Sequence, residues 1–247
     1  MGHIITDLKE AFRRGNVYIQ LIFINVGVFV ITTLIGILLQ LFNRSAAGIF
    51  ELLALPASFT RFAWQPWSIF TYMFMHAGFL HILFNMLTLW CVGPVLERMM
   101  GHWPYLALYV LSGLGGGAGL MVWAVCSPSG WMTAAYGASG ALFGLFAAIL
   151  VVYRRIGIDI RSMLIWMLIN FLMPVITPGI AWQAHVGGFI VGGVLAWLLV
   201  TGLHAFRGKS LTWRTTVHGI TVFVVVVAII VGCNAGNPLM HMSLLYQ

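Results

Sequence analysis

Four polar side chains with chemical capacity stand inside otherwise apolar stretches of the chain: His81, Asn85, Ser139 and His185. A serine hydroxyl becomes a useful nucleophile when a neighbouring base takes its proton, and histidine fills that role most often. Attack on a carbonyl creates an oxyanion, which needs fixed donors in a dry site; an asparagine amide and an imidazole N–H can both donate. A full triad would place a carboxylate beside the histidine. Of the acids, Asp7, Glu10, Glu97 and Asp159 map to one end of the spans described below, and Glu51 alone maps to the other. A serine–histidine pair without an acid is the arrangement this census favours. Set against any such chemistry is a plain alternative: a serine inside a membrane helix commonly bonds a carbonyl of its own helix, the reading taken here for Ser45 and Ser162. Intramembrane histidines are rarer and mark function by default. His76 is read as a loop anchor, and His102, His204 and His218 as interfacial residues.

The elements that must carry these residues are membrane spans. The chain is 61% hydrophobic and 7% charged, with a mean hydropathy of +1.00, whereas soluble domains carry about 25% charged residues. Seven apolar stretches run approximately Val17–Phe42, Phe79–Leu96, Tyr105–Val125, Ser139–Tyr153, Met163–Val175, Ile180–Phe206 and Val217–Gly232. A spanning helix needs about 20 residues, so the fourth and fifth are short. All of the 12 Lys+Arg except Arg44 and Arg61 fall on one side, including Lys9, Arg13, Arg14, Arg98, Arg154, Arg155, Arg161, Arg207, Lys209 and Arg214. The positive-inside rule then sets the N-terminus in the cytoplasm and the C-terminus outside. The net charge of +7 is accounted for by topology, and no nucleic-acid partner is expected. No cleavable signal is expected either, because the first apolar run is too long for an h-region. Cys91, Cys126 and Cys233 have no metal or framework spacing; they are read as free, buried thiols, with a Cys126–Cys233 disulfide at the outer face as the alternative.

Helix lengths set depth. Ser139 precedes the boundary residue Arg154 by 15 positions, roughly 22 Å of helix against a core of about 30 Å. Ser139 therefore lies below the outer surface. The segment before it, from Cys126 to Ala138, is punctuated by Pro128, Gly130 and Gly137 and reads as loop. Non-helical backbone at that depth is tolerated where it is buried in protein or lines a water-filled cavity. Counted back from Glu97, Asn85 and His81 bracket the same level at about 18 and 24 Å, and four residues apart they share a helix face. His185 is 22 residues from Arg207, about 33 Å, which demands a tilted or projecting sixth helix. Small residues recur at every fourth position, Gly140, Gly144 and Ala148 on the fourth span and Ala184, Gly188, Gly192 and Ala196 on the sixth. Such stripes let two helices approach closely in lipid, although they occur in helix bundles of many kinds. Between Asn43 and Met75 a connection rich in Phe50, Leu52, Leu53, Phe59, Phe62, Trp64 and Trp67 is too apolar for water and reads as an interfacial segment.

Taken together, these residues resemble the rhomboid family. Gly137-Ala-Ser139-Gly140 is similar to its Gly-x-Ser-Gly motif, and Ala184-His185-Val-Gly-Gly188 with Gly192 to its Ala-His-x-x-Gly motif. His76, His81 and Asn85 resemble the second-helix signature, and Gly93, Glu97 and Gly101 the stretch at that helix's inner end. The resemblance covers about Trp67 to Trp197. It implies an all-α, polytopic membrane bundle with a six-helix core and one added C-terminal helix, divided as 1–16, 17–206 and 207–247. It implies that Ser139 is the nucleophile and His185 its base, with His81, Asn85 and the Ser139 N–H forming the oxyanion hole. Gly137, Gly140, Phe143 and Gly188 would support the site or the substrate. Two positions depart from the pattern: Trp67-Ser68 stands where Trp-Arg is frequent, and Phe143 where Tyr stacks on the histidine.

The activity this implies is an intramembrane serine endopeptidase that cuts transmembrane segments of other proteins from an outward-open cavity, in contact with lipid and without a cofactor. A plasma (inner) membrane location is expected. The alternative is a catalytically silent relative that binds transmembrane clients, which typically lacks the serine or the histidine. A transporter would carry polar groups down to the inner face, and a zinc hydrolase on His76, His81 and His185 has no HExxH pair or ligating carboxylate. No metal is expected. Substrate identity and oligomeric state are not set by the sequence.

Overall fold

A computed structural model describes residues 15–42, 44–45, 47–56, 65–127, 130–176, 181–202, 206 and 208–235. Lys9, Arg13, Arg14, Asp7 and Glu10 of the N-terminal segment, Phe59, Arg61, Phe62 and Trp64 of the long connection, and His204 and Arg207 lie outside these residues.

Apolar stretches of spanning length have no water to satisfy their backbone, so helix is the form each adopts. In chain order the described helices are α1 (Val17–Leu41), a short α2 (Ala47–Leu53), a single turn α3 (Ser68–Thr71), α4 (Phe79–Met100), α5 (His102–Cys126), α6 (Ser139–Ile156), α7 (Arg161–Ile176), α8 (Trp182–Thr201) and α9 (Leu211–Ala235). Among the described residues, six helices are long and apolar enough to cross a bilayer: α1, α4, α5, α6, α8 and α9. The fifth apolar stretch becomes α7, whose 16 residues reach about 24 Å, the shortness its sequence implied.

α5, α6 and α8 form the inner layer, with α9, α4 and α1 applied around it and α7 on the rim. The difference in burial is large: 72% of the apolar window of α5 is buried, against 11% for α1. Backbone meets backbone inside this layer. A Cβ on Gly188 would lie 1.9 Å from the Gly140 carbonyl oxygen, and one on Gly187 would lie 2.2 Å from that of Gly115. The stripes on the fourth and sixth spans thus face each other. A second glycine face, Gly115 and Gly119 of α5 against Gly187 of α8, was visible as the glycine-rich run 113–119 and went unread.

Several expectations change. The sixth apolar stretch was extended to Phe206, but α8 stops at Thr201, where Gly202 turns the chain with φ +66°. His185 is then 16 residues from its helix end, about 24 Å, close to the roughly 22 Å of helix counted from Ser139 to Arg154. The seventh helix begins at Leu211 rather than Val217, so Arg214 sits in its first turn. Cys91 and Cys126 are exposed and Cys233 is half-buried, so the thiols are not core residues. His218 is buried within the protein.

The long connection makes specific contacts with the rest of the chain. Leu55–Pro56 pairs antiparallel with Ala134–Ala135, in the register Leu55 opposite Ala135 and Pro56 opposite Ala134. Trp67 Nε1 donates to the Leu52 carbonyl at 3.0 Å and Thr71 Oγ1 to that of Leu53 at 2.8 Å. The connection therefore holds the segment that leads into α6. At the far end of the bundle, the buried Glu97 accepts the N–H groups of Val17 at 2.7 Å and Tyr18 at 3.0 Å, and a bond from His102 Nδ1. A carboxylate at a helix N-terminus satisfies orphan donors and opposes the positive end of the helix dipole, so Glu97 fastens α1 to α4.

Candidate active site

Ser139 is the first residue of α6, and the first intrahelical bond runs from the Leu142 N–H to the Ala138 carbonyl at 3.0 Å. The N–H groups of Ser139, Gly140 and Ala141 therefore have no carbonyl four residues back within the helix, and they point out of its positive end. Gly137 sets this start. It adopts φ +115°, a conformation L side chains rarely take, and its N–H donates to the Tyr72 carbonyl at 2.8 Å. A Cβ on Gly137 would also lie 2.8 Å from the His81 ring, so only glycine allows that imidazole to come so close.

His185 Nε2 is 2.8 Å from Ser139 Oγ, across 46 residues of sequence. The Phe143 ring stacks on the imidazole at 4.3 Å with an interplanar angle of 9°, and Phe171 of α7 lies edge-on to Phe143 at 5.9 Å. The replacement of Tyr by Phe thus keeps the ring on the histidine. His185 Nδ1 is buried and has no hydrogen-bond partner among the described residues, so no carboxylate orients it there. Ser139 is half-exposed whereas His185 is buried, which leaves the hydroxyl as the accessible member of the pair.

The α4 residues line the opposite side. His81 Nε2 is buried next to Gly137 without a partner among the described residues, and the position of a Gly137 Cβ would be 3.8 Å from Ser139 Oγ. Asn85 gives one amide hydrogen to the His81 carbonyl at 2.8 Å; a primary amide has a second. The residue as a whole is buried. His76 is buried with Nδ1 3.2 Å from the Phe74 carbonyl and its ring edge-on to His81 at 5.1 Å. Loss of hydration, and then the neighbouring His81, bring its pKa down to about 3, so it is a neutral packing group. Among the described residues no group of three or more His, Cys, Asp or Glu is arranged to hold a metal ion.

All eight sequence-singled residues thus lie at or beside one place: Ser139, Gly137, Gly140 and Phe143 on or before α6, His185 and Gly188 on α8, His81 and Asn85 on α4. Ser68 is buried, in the single turn α3, with no partner for its hydroxyl among the described residues. Tyr72 was missed. Its hydroxyl donates to the Gly113 carbonyl while its own carbonyl holds Gly137, so it links α5 to the start of α6. Nothing in the sequence around Tyr72 announces that role.

Residues 63–202 match the family of the rhomboid domain. The chain belongs to the rhomboid family. Its curated relatives include the putative rhomboid protease YdcA of Bacillus subtilis, 37% identical over 54% of this chain and 67% of that protein. RHOMBOID-like protein 5 of Arabidopsis thaliana is 33% identical over 55% of this chain and 45% of that protein. The rhomboid protease GluP of Bacillus subtilis is 33% identical over 53% of this chain and 25% of its own length. The aligned part thus spans less than half of the plant relative. With its apolar helices, this rhomboid is an integral multi-pass membrane protein, in a family that contains proteases.

Proposed function

We propose that this rhomboid is an intramembrane serine endopeptidase that hydrolyses transmembrane segments of other proteins through a Ser139–His185 dyad. The observation that carries the reading is the 2.8 Å approach of His185 Nε2 to Ser139 Oγ, with no partner for Nδ1 among the described residues. As Oγ attacks the scissile carbonyl carbon, Nε2 takes its proton. The oxyanion then accepts hydrogen bonds from the Ser139 N–H, the free amide hydrogen of Asn85 and His81 Nε2. His185 returns the proton to the leaving amine, and a water repeats the sequence in reverse to release the acyl group. The imidazolium formed between these steps has the face of Phe143 against it instead of a carboxylate, a cation–π contact worth about 0.5–2 kcal/mol.

The cavity is read as opening to the outside, in a plasma (inner) membrane. Support comes from the charges: Arg98, Arg154, Arg155, Arg161 and Arg214 all lie at helix ends away from the Ser139 end of α6. The division into 1–16, 17–206 and 207–247 is kept as the domain proposal.

The test is purified protein in detergent with a transmembrane substrate and a fluorophosphonate probe. Wild type is expected to cleave and to label, while Ser139→Ala abolishes both and His185→Ala lowers them by at least about a thousandfold, the scale on which such dyads fail. Undiminished cleavage by Ser139→Ala sinks the mechanism. A wild type that binds the substrate yet neither labels nor cuts establishes the client-binding alternative instead.

A further inference from the structure

The helix that carries His185 ends in an unusual way. Its last carbonyls, like those of any helix, lack partners four residues on within the helix. The Leu198 carbonyl accepts the Gly202 N–H at 3.0 Å and also Arg214 Nη2 at 3.2 Å. The same Nη2 donates to the Leu199 carbonyl. Arg214 belongs to α9, so the seventh helix reaches across to close the end of α8. Gly202 makes room: a Cβ there would lie 2.7 Å from Nη2, and its φ of +66° disfavours a side chain in any case. The guanidinium is half-buried, its Nε has no partner, and no carboxylate pairs with it among the described residues. Its charge instead faces the negative end of the α8 dipole. Phe206, edge-on to both Trp213 at 5.2 Å and His218 at 5.5 Å, packs the turn around this contact.

We propose that Arg214 is a positioning residue, which fixes the last turn of α8 along its axis and through that helix sets His185 against Ser139. α8 meets α5 and α6 through Gly187, Gly188 and Gly192, with Val191 against Gly115, and packing this close holds the helix at one register along its axis. The carbonyl bonds of Arg214 pin the last turn of the helix at that register. The helix transmits an axial shift over the 16 residues from Thr201 to His185 with little loss, and a misplacement of about 1 Å at reacting groups costs on the order of a hundredfold in rate. The added helix is on this view a working part of the catalytic bundle. The inference rests on the Ser139–His185 reading given above.

The experiment measures fluorophosphonate labelling of folded protein, resolved into the maximal rate and the half-saturating probe concentration, for wild type, Arg214→Ala, Arg214→Lys and Gly202→Ala. Arg161→Ala, which removes an exposed guanidinium at another helix end, is the control and should label as wild type does. Arg214→Ala is expected to lower the maximal rate about tenfold or more with the half-saturating concentration unchanged. Arg214→Lys, which keeps a cation able to bond one carbonyl, should return it to within about threefold of wild type. If Arg214→Ala does not fold, Gly202→Ala, which pushes a methyl into the guanidinium, should show the same loss. A wild-type maximal rate in either folded variant overturns the proposal, as does a lysine variant that recovers thermal stability but not rate. A wild type that fails to label would overturn the protease reading; the clamp is then judged by hydrogen exchange of residues 198–202, which must rise in Arg214→Ala for the contact itself to stand.

Discussion

Two helices flank the Ser139–His185 pair and are held in opposite ways. α8 presses its glycines onto the backbones of α5 and α6, so closely that a methyl on Gly188 has no room. α7, on the rim, has an exposed apolar face and touches the site through Phe171 against Phe143 and a long Thr88 Oγ1–Asn170 Oδ1 contact of 3.4 Å. Lipid gives apolar helices no hydrophobic reason to associate, so the closeness of packing and the few polar contacts decide how firmly each is bound. The helix bearing the base is fixed by what it lacks, side chains, and the rim helix by side chains that can be exchanged one at a time.

That contrast can be broken from its strong side first. Gly188→Ala places a methyl against the Gly140 carbonyl and should cost at least about 3 kcal/mol, the upper range for overpacking. Both the cooperative melt and the probe labelling are expected to be lost. Retention of wild-type melting would show that α6 and α8 can separate at little cost. A smaller effect is expected at the ring between the two regions. Phe143→Leu keeps an apolar residue but removes the face over His185, so labelling should fall about tenfold with a stability change under about 1.5 kcal/mol. Phe143→Tyr should label within about threefold of wild type; a large loss there would mean that the buried site has no space for a hydroxyl. The smallest effect belongs to the rim. Asn170→Ala removes the contact to Thr88 and should lower stability by about 0.6 kcal/mol, typical of an interhelical polar pair, with labelling within about twofold. A loss comparable to that of Gly188→Ala would erase the distinction between the two helices.

Much of the site was legible because it obeys local rules. Helix periodicity alone put His81 and Asn85 on one face, and the four-residue spacing of Gly140 and Gly144 matched that of Gly188 and Gly192 before any contact was known. The sixth helix was read too long because Gly202 is a single residue in an apolar run that continues through Leu203 and Phe206, and a stop signalled by one positive φ does not register in hydropathy. Arg214 was counted as a loop charge for the same reason: sequence shows a basic residue near a boundary, not the carbonyls within its reach. The pairing of Leu55–Pro56 with Ala134–Ala135 involves two residues from each of two distant loops, too few to leave a pattern.

The sequence by itself therefore determined that the chain crosses the membrane several times, how its charges are distributed, and how few acids it has, since hydropathy and charge accumulate along the chain. Tertiary structure alone decided that Nε2 of His185 meets the hydroxyl of Ser139, that Glu97 caps α1, and that the seventh helix closes the end of α8. Each of those contacts joins residues from different helices, and their meeting depends on how closely whole helices pack, which no local stretch of sequence encodes.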